Sequence, residues 1–174
     1  MNKLNNPAMS KELIKLPRKL TNQLLHLAQT SSDLEVCGLI GSRHGIPTTC
    51  YPVKNVAPSP AVRYELDPRQ QVEDMRDMRE RGEELFAIYH SHPQSPAEPS
   101  ATDLASVNYP EALYLIISLN TKGVLEMRGF RMQKNQPAAE VDLICAEVAI
   151  PETMDQEPEN RLIRSDSRSP PPDS

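Results

Sequence analysis

Two of the chain's four histidines stand two residues apart in the stretch "FAIYHSHPQSPAEPSATDL" (Phe86 to Leu104), with Asp103 following closely. The run before them is apolar and reads as a strand. In a strand, residues i and i+2 project from one face, about 7 Å apart along the chain. His90 and His92 therefore aim their imidazoles the same way, and Ser91 points opposite. Two neutral imidazoles side by side suit a divalent transition metal. Pro93 stops the strand, the loop "PQSPAEP" turns the chain, and Ser100 opens a helix whose first turn holds Asp103. That placement can return a carboxylate to the histidines as a third ligand. Three protein ligands with one open position make a catalytic zinc, whereas a structural zinc is closed by four. Taken singly, each piece has a plainer reading. Two histidines around a serine can be polar residues at a strand end, and Ser100 with Asp103 is also a capping-box-like helix start. The ordered string is what carries the weight.

The elements around these residues can be read from the apolar spacing. Pro17 suits a first helical position, and Leu20, Leu24, Leu27 and Ala28 recur at helical spacing, predicting an amphipathic helix. "EVCGLIGS" (Glu35 to Ser42) predicts a short buried strand. "TTCYPVKNVA" (Thr48 to Ala57) predicts another, with Pro52 favouring an edge or a bulge. Asp67-Pro68 reads as an N-cap followed by Pro at N1. The helix after it carries one apolar stripe of Val72, Met75 and Met78 and ends near Gly82. A strand then runs into the histidines, and a short helix spans Ser100 to about Val107. "LYLIISL" (Leu113 to Leu119) is continuously apolar, as in a strand covered on both faces. A turn at Asn120 to Gly123 precedes the alternating "VLEMRGFRM", and "EVDLICAEVAI" (Glu140 to Ile150) reads as either a last strand or a short helix. Strands interleaved with helices predict an α/β or mixed α+β domain, a central sheet between helices.

The 174 residues make one domain's worth of chain. Residues 1–11 read as a loose leader, 12–150 as the domain, and 151–174, rich in Pro, Ser and alternating charge, as a disordered tail. A net charge of −5 argues against nucleic acid as the main partner, since phosphate binding needs a basic face. No apolar stretch approaches a membrane span, and the N-terminus lacks the apolar core of a secretory signal. A cytoplasmic location is expected. Three widely spaced cysteines (Cys37, Cys50, Cys145) form no C-x-x-C pair and read as small buried hydrophobes. His26 and His44 have no partner motif, and the charged run Arg76 to Glu84 reads as a solvated helix face.

The ordered string resembles the signature of the JAMM (MPN-plus) metalloprotease family. That signature is an upstream glutamate, then His-Ser/Thr-His, seven residues opening here with Pro93, and Ser-x-x-Asp. Glu35, ahead of Cys37-Gly38 and Gly41, stands where the family's glutamate stands. The likeness extends through "YPVKNVAPSPAVRYELDP" and "LYLIISL", covering roughly Leu13 to Ile150. It implies an MPN, cytidine-deaminase-like fold and one zinc per chain held by His90, His92 and Asp103, with a water in the fourth place. It implies Glu35 as the general base and Ser100 as a donor to the oxyanion. A carboxylate that cycles a proton works best with a raised pKa, and Glu35 sits beside an apolar strand. The compact chain resembles the prokaryotic branch. The resemblance then implies a peptidase or isopeptidase acting at the C-terminal tail of a ubiquitin-like protein, with small β-grasp sulfur carriers among the substrates. Two alternatives stay open. One is a non-catalytic module of the same fold, although every key position is intact. The other is a 2-His-1-carboxylate iron enzyme, which would need neither Glu35 nor Ser100. A zinc deaminase would need a P-C-x-x-C, which is absent.

Overall fold

Leu113–Ser118 is the spine of the molecule, and every one of its side chains is buried. The computed structural model, which describes residues 11–120 and 124–147, places this strand at the centre of a seven-stranded mixed sheet. The strands are β1 (Leu13–Pro17), β2 (Cys37–Arg43), β3 (Ile46–Val53), β4 (Glu84–His92), β5 (Leu113–Ser118), β6 (Glu126–Arg131) and β7 (Ala139–Ala146). The helices are α1 (Arg18–Gln29), α2 (Pro68–Glu80) and α3 (Ala101–Ala105). Sheet order is β1-β7-β6-β5-β4-β2-β3. β1–β7 and β4–β5 are parallel; the other neighbours are antiparallel.

Side-chain alternation along β5 feeds two cores. Leu113, Leu115 and Ile117 pack with Leu16, Leu20, Leu24 and Ala28 of β1 and α1. Tyr114 and Ile116 pack with Leu39, Ile88, Met78 of α2 and Val107 after α3. The sheet is thus sandwiched by helices, as the interleaved pattern predicts. On β4 the alternation is set by a bulge. Ala87 opposes Ile40 and Leu85 opposes Gly41, leaving Phe86 as the extra residue. Alternation restarts at Ala87, so Ile88, His90 and His92 share the face of α2 and α3.

Two glycines let the sheet close tightly around β2. A Cβ on Gly38 would collide with the Tyr51 carbonyl and lie 2.6 Å from the Tyr89 hydroxyl. A Cβ on Gly41 would collide with the carboxylate of Glu83. That buried carboxylate accepts hydrogen bonds from Thr49 Oγ1 and the Tyr51 hydroxyl, both at 2.7 Å.

Several expectations need correction. β1 was not anticipated; it pairs with β7 from across the chain, and Pro17 ends it at the N-cap of α1 rather than standing inside the helix. Val72 is exposed, so the inward stripe of α2 rests on Met75 and Met78. β3 stops at Val53 and Pro52 lies on the sheet's edge strand, with its missing N–H at no cost to a central ladder. The ambiguous segment near the C-terminus is a strand. The leader apart from Lys11, the turn residues 121–123 and the tail fall outside the described residues.

Candidate metal centre

β4 ends on the two histidines. Its parallel neighbour β5 and antiparallel neighbour β2 flank it there, with His90 opposite Cys37 on one side and Ile116 on the other. His90 is wholly buried and His92 nearly so. Their Nε2 atoms lie 3.0 Å apart. His92 Nδ1–H donates to the Pro96 carbonyl at 2.7 Å, which fixes its tautomer and leaves Nε2 with a lone pair. The loop that supplies Pro96 is itself pinned: Ser118 Oγ donates to the Ser95 carbonyl at 2.7 Å. The prolines therefore do more than turn the chain, because one of them orients His92.

Asp103 sits in the first turn of α3 and points back to β4. Its Oδ2 is 3.6 Å from each histidine Nε2. Ser100 is the N-cap, with both halves of a capping box present. The Asp103 N–H donates to Ser100 Oγ at 3.1 Å, while the Ser100 N–H and hydroxyl each donate to Asp103 Oδ2 at 2.7 Å. The capping box and the approach of the Asp103 carboxylate to the histidines are thus one structure.

The donor set fits a metal. Zinc–ligand bonds of about 2.0–2.2 Å in a tetrahedron space the ligand atoms about 3.3–3.6 Å apart. The observed edges are 3.0, 3.6 and 3.6 Å. Two imidazole nitrogens and one carboxylate oxygen converge here, and burial takes them from water. A cation between them is the natural compensation. Of the described residues, these three alone form such a group of His, Cys, Asp or Glu. Burial is the largest influence on each. It lowers the His90 pKa against the opposing pull of Asp103. In His92 the Asp103 carboxylate and Pro96 carbonyl outweigh burial and raise it. Burial would raise Asp103, yet both imidazoles and Ser100 hold its carboxyl far below the usual range.

Glu35 lies just before β2 and is buried beside this cluster. Ser91, between the two ligands but facing the other side of the sheet, brings it there. The Ser91 N–H donates to the Val36 carbonyl and the Val36 N–H to Ser91 Oγ, both at 2.9 Å. Burial raises the Glu35 pKa to about 7, Asp103 adds to the rise, and His92 opposes it. Its Oε2 is buried without a hydrogen-bond partner. A buried acceptor with a raised pKa beside such a cluster has the properties that proton transfer needs.

Sequence reasoning from spacing did not reach Tyr64. Its ring stacks on His90, with centroids 4.2 Å apart and planes 20° from parallel. Tyr64 also walls a cavity of about 550 Å³ lined by Leu66, Ile88, Thr102, Tyr109 and Tyr114. A second cavity, about 320 Å³, has Glu35, Val36, Asn55 and Pro60 in its wall. None of His90, His92 and Asp103 lines either cavity; Tyr64 borders the first and Glu35 the second.

A family model of prokaryotic homologs of the JAB domain matches residues 17–133. The chain belongs to this family. As a prokaryotic JAB protein it is 42% identical over 86 residues to a desampylase of Haloferax volcanii, a match covering 48% of this chain and 62% of that protein. The chain thus spans less than two thirds of that relative's length. It is 31% identical over 115 residues to a CysO-cysteine peptidase of Mycobacterium tuberculosis, covering 65% of this chain and 78% of the relative. A protein of Desulfitobacterium hafniense, known from its solution structure, superposes with a TM-score of 0.72 at 30% identity, over 83% of this chain and 99% of that one. The mixed sheet between helices is accordingly the fold of this JAB protein.

Proposed function

We propose that this protein is a zinc peptidase or isopeptidase that hydrolyses an amide bond at the C-terminal tail of a ubiquitin-like protein, a small β-grasp sulfur carrier. The observation that carries the reading is the buried convergence of His90, His92 and Asp103 next to a carboxylate whose pKa is raised to about 7. A similar desampylase and a similar CysO-cysteine peptidase support the substrate class. His90, His92 and Asp103 would hold the zinc. Bound there, zinc supplies a Lewis acid that polarises a carbonyl and lowers the pKa of water toward neutrality.

The protein's own groups do the rest. Burial holds the Glu35 carboxyl above the ordinary carboxylate range, which suits a group that must both take and return a proton. Its bare Oε2 accepts the proton of the attacking water, and the same carboxyl then delivers it to the leaving amine nitrogen. Pro96 holds His92 in the tautomer that ligation requires, and Tyr64 shields one face of His90 from water. Ser100 is assigned to the oxyanion. Its single hydroxyl proton is given to Asp103 Oδ2, so oxyanion donation requires the hydroxyl to turn. The Ser100 N–H can keep the carboxylate in place while it does so. No helix among the described residues is long and apolar enough to cross a membrane, and we assign the enzyme to the cytoplasm.

The deciding test uses protein purified without added metal. Elemental analysis should find about one zinc per chain. A β-grasp carrier with a cysteine amide-linked to its Gly-Gly end should lose that cysteine, read by intact mass, and a strong chelator should stop the loss. Iron in place of zinc would favour the 2-His-1-carboxylate iron enzyme. Full activity in rigorously metal-free protein would end the metallopeptidase reading.

A further inference from the structure

We infer that Asn55 is a positioning residue for this site, a clamp that fixes both the base Glu35 and the aromatic wall of His90; the inference rests on the catalytic reading above. Asn55 follows the edge strand β3, half-buried, where the chain leaves the sheet for the loop 54–67. Its Nδ2 donates to the Glu35 carbonyl at 3.0 Å and to the Arg63 carbonyl at 2.9 Å. Its Oδ1 accepts from the Ala57 and Glu65 N–H groups, both at 3.0 Å. An amide has two N–H bonds and two carbonyl lone pairs, and all four are used. The orientation is unambiguous: turned over, the NH₂ would face two N–H donors and the oxygen two carbonyls.

What these bonds hold is specific. Glu35 precedes β2, so no strand ladder fixes its backbone. Asn55 takes its carbonyl, and its N–H donates to the Pro60 carbonyl at 2.8 Å. The loop therefore grips both sides of the base's peptide. Arg63 and Glu65 flank Tyr64, the residue stacked on His90. One side chain thus ties the base and a ligand's neighbour to a common frame. Asn55 touches neither the reacting atoms nor the ligands. Its effect is on geometry, and a displacement of about 1 Å at a reacting group can cost about 100-fold in rate.

The test compares Asn55→Ala and Asn55→Asp with wild type in the full chain. For the zinc-loaded enzymes, kcat and KM are measured on the cysteine-extended β-grasp carrier, with zinc content and melting temperature alongside. For the metal-free proteins, amide hydrogen exchange is followed at Glu35, Ala57 and Glu65. Asn55→Ala should lower kcat about 10–100-fold with KM within about threefold and zinc content unchanged. It should also speed exchange at all three amides. Asn55→Asp keeps the acceptor half, so Ala57 and Glu65 should stay protected while kcat still falls. A kcat within twofold of wild type for Asn55→Ala, or wild-type kcat for Asn55→Asp, overturns the inference. So does a kcat loss that merely tracks lost zinc or lost folded protein. If wild type itself does not cleave the carrier, the proposed function fails, and the exchange data then judge the clamp alone. Unchanged Glu35 exchange in Asn55→Ala would refute it, and faster exchange would uphold it.

Discussion

In the proposed function, Glu35 carries the proton transfers in one carboxyl group. Assigned to proton transfer and not to ligation, it separates two measurements that usually move together. Glu35→Ala should keep about one zinc per chain and its fold, yet lose about 10²–10⁴-fold in turnover. Zinc loss in that variant would make Glu35 a ligand, and unchanged turnover would remove it from the mechanism. A second prediction follows from its pKa. Burial lifts it from 4.5 to about 7, so the folded state binds this proton more tightly than the unfolded chain does. The stabilisation is fully present below about pH 4.5 and is lost as pH rises through about 7. One pKa unit is about 1.4 kcal/mol, so the rise from 4.5 to about 7 amounts to roughly 3 kcal/mol. Metal-free wild type should therefore lose that much stability relative to Glu35→Gln between pH 4.5 and 7.5, measured by denaturant unfolding. Parallel pH profiles for the two proteins would show that burial does not hold the proton.

At the scale of elements, α3 is short and owes much to its start. Ser100→Ala removes the N-cap acceptor and should cost about 0.5–2 kcal/mol of stability. It also removes one of the hydrogen bonds to Asp103 Oδ2, and outer-sphere partners of this kind are typically worth 10–100-fold in metal affinity. Competition with a chromophoric chelator should show weakened zinc binding in this variant; unchanged affinity would confine Ser100 to capping and the oxyanion. What was legible beforehand follows the same scale. His90, His92 and Asp103 could be read from sequence because strand alternation and one loop bring them together locally. Glu35 was reached only by resemblance, since the pairing of Val36 with Ser91 spans 55 residues. β1 left no signal because its ladder lies with β7, near the other end of the domain. Tyr64 and Asn55 sit in the loop 54–67, which has no helical or strand period to read, and their links to His90 and Glu35 are tertiary. Helical periodicity places Val72 in the stripe of α2, but the residue is exposed while Met75 and Met78 turn to the core.

For the whole molecule, the metal is expected to be a fastener as well as a reagent. The hydrophobic cores lie on the two faces of the sheet and bury most of the apolar area without the polar cluster. The cluster nevertheless joins the end of β4 to α3, and without a cation it buries two imidazoles and a carboxylate whose acceptor atoms face one another. A metal that binds only the folded state stabilises it by RT ln(1 + [L]/Kd), about 4 kcal/mol at a thousandfold excess over Kd. For a domain of this size each kcal/mol moves the midpoint by a few degrees. Chelation should therefore lower the melting temperature by about 10 °C while leaving the far-ultraviolet circular dichroism at 25 °C unchanged. Deleting residues 154–174, which have little apolar surface to contribute, should by contrast shift the midpoint by no more than about 2 °C. The control is His92→Ala, whose midpoint should no longer respond to chelator because one of three ligands is gone. A chelator-induced shift that persists in His92→Ala would place the stabilising cation elsewhere. No shift in wild type would mean that this cluster is not fastened by metal at all.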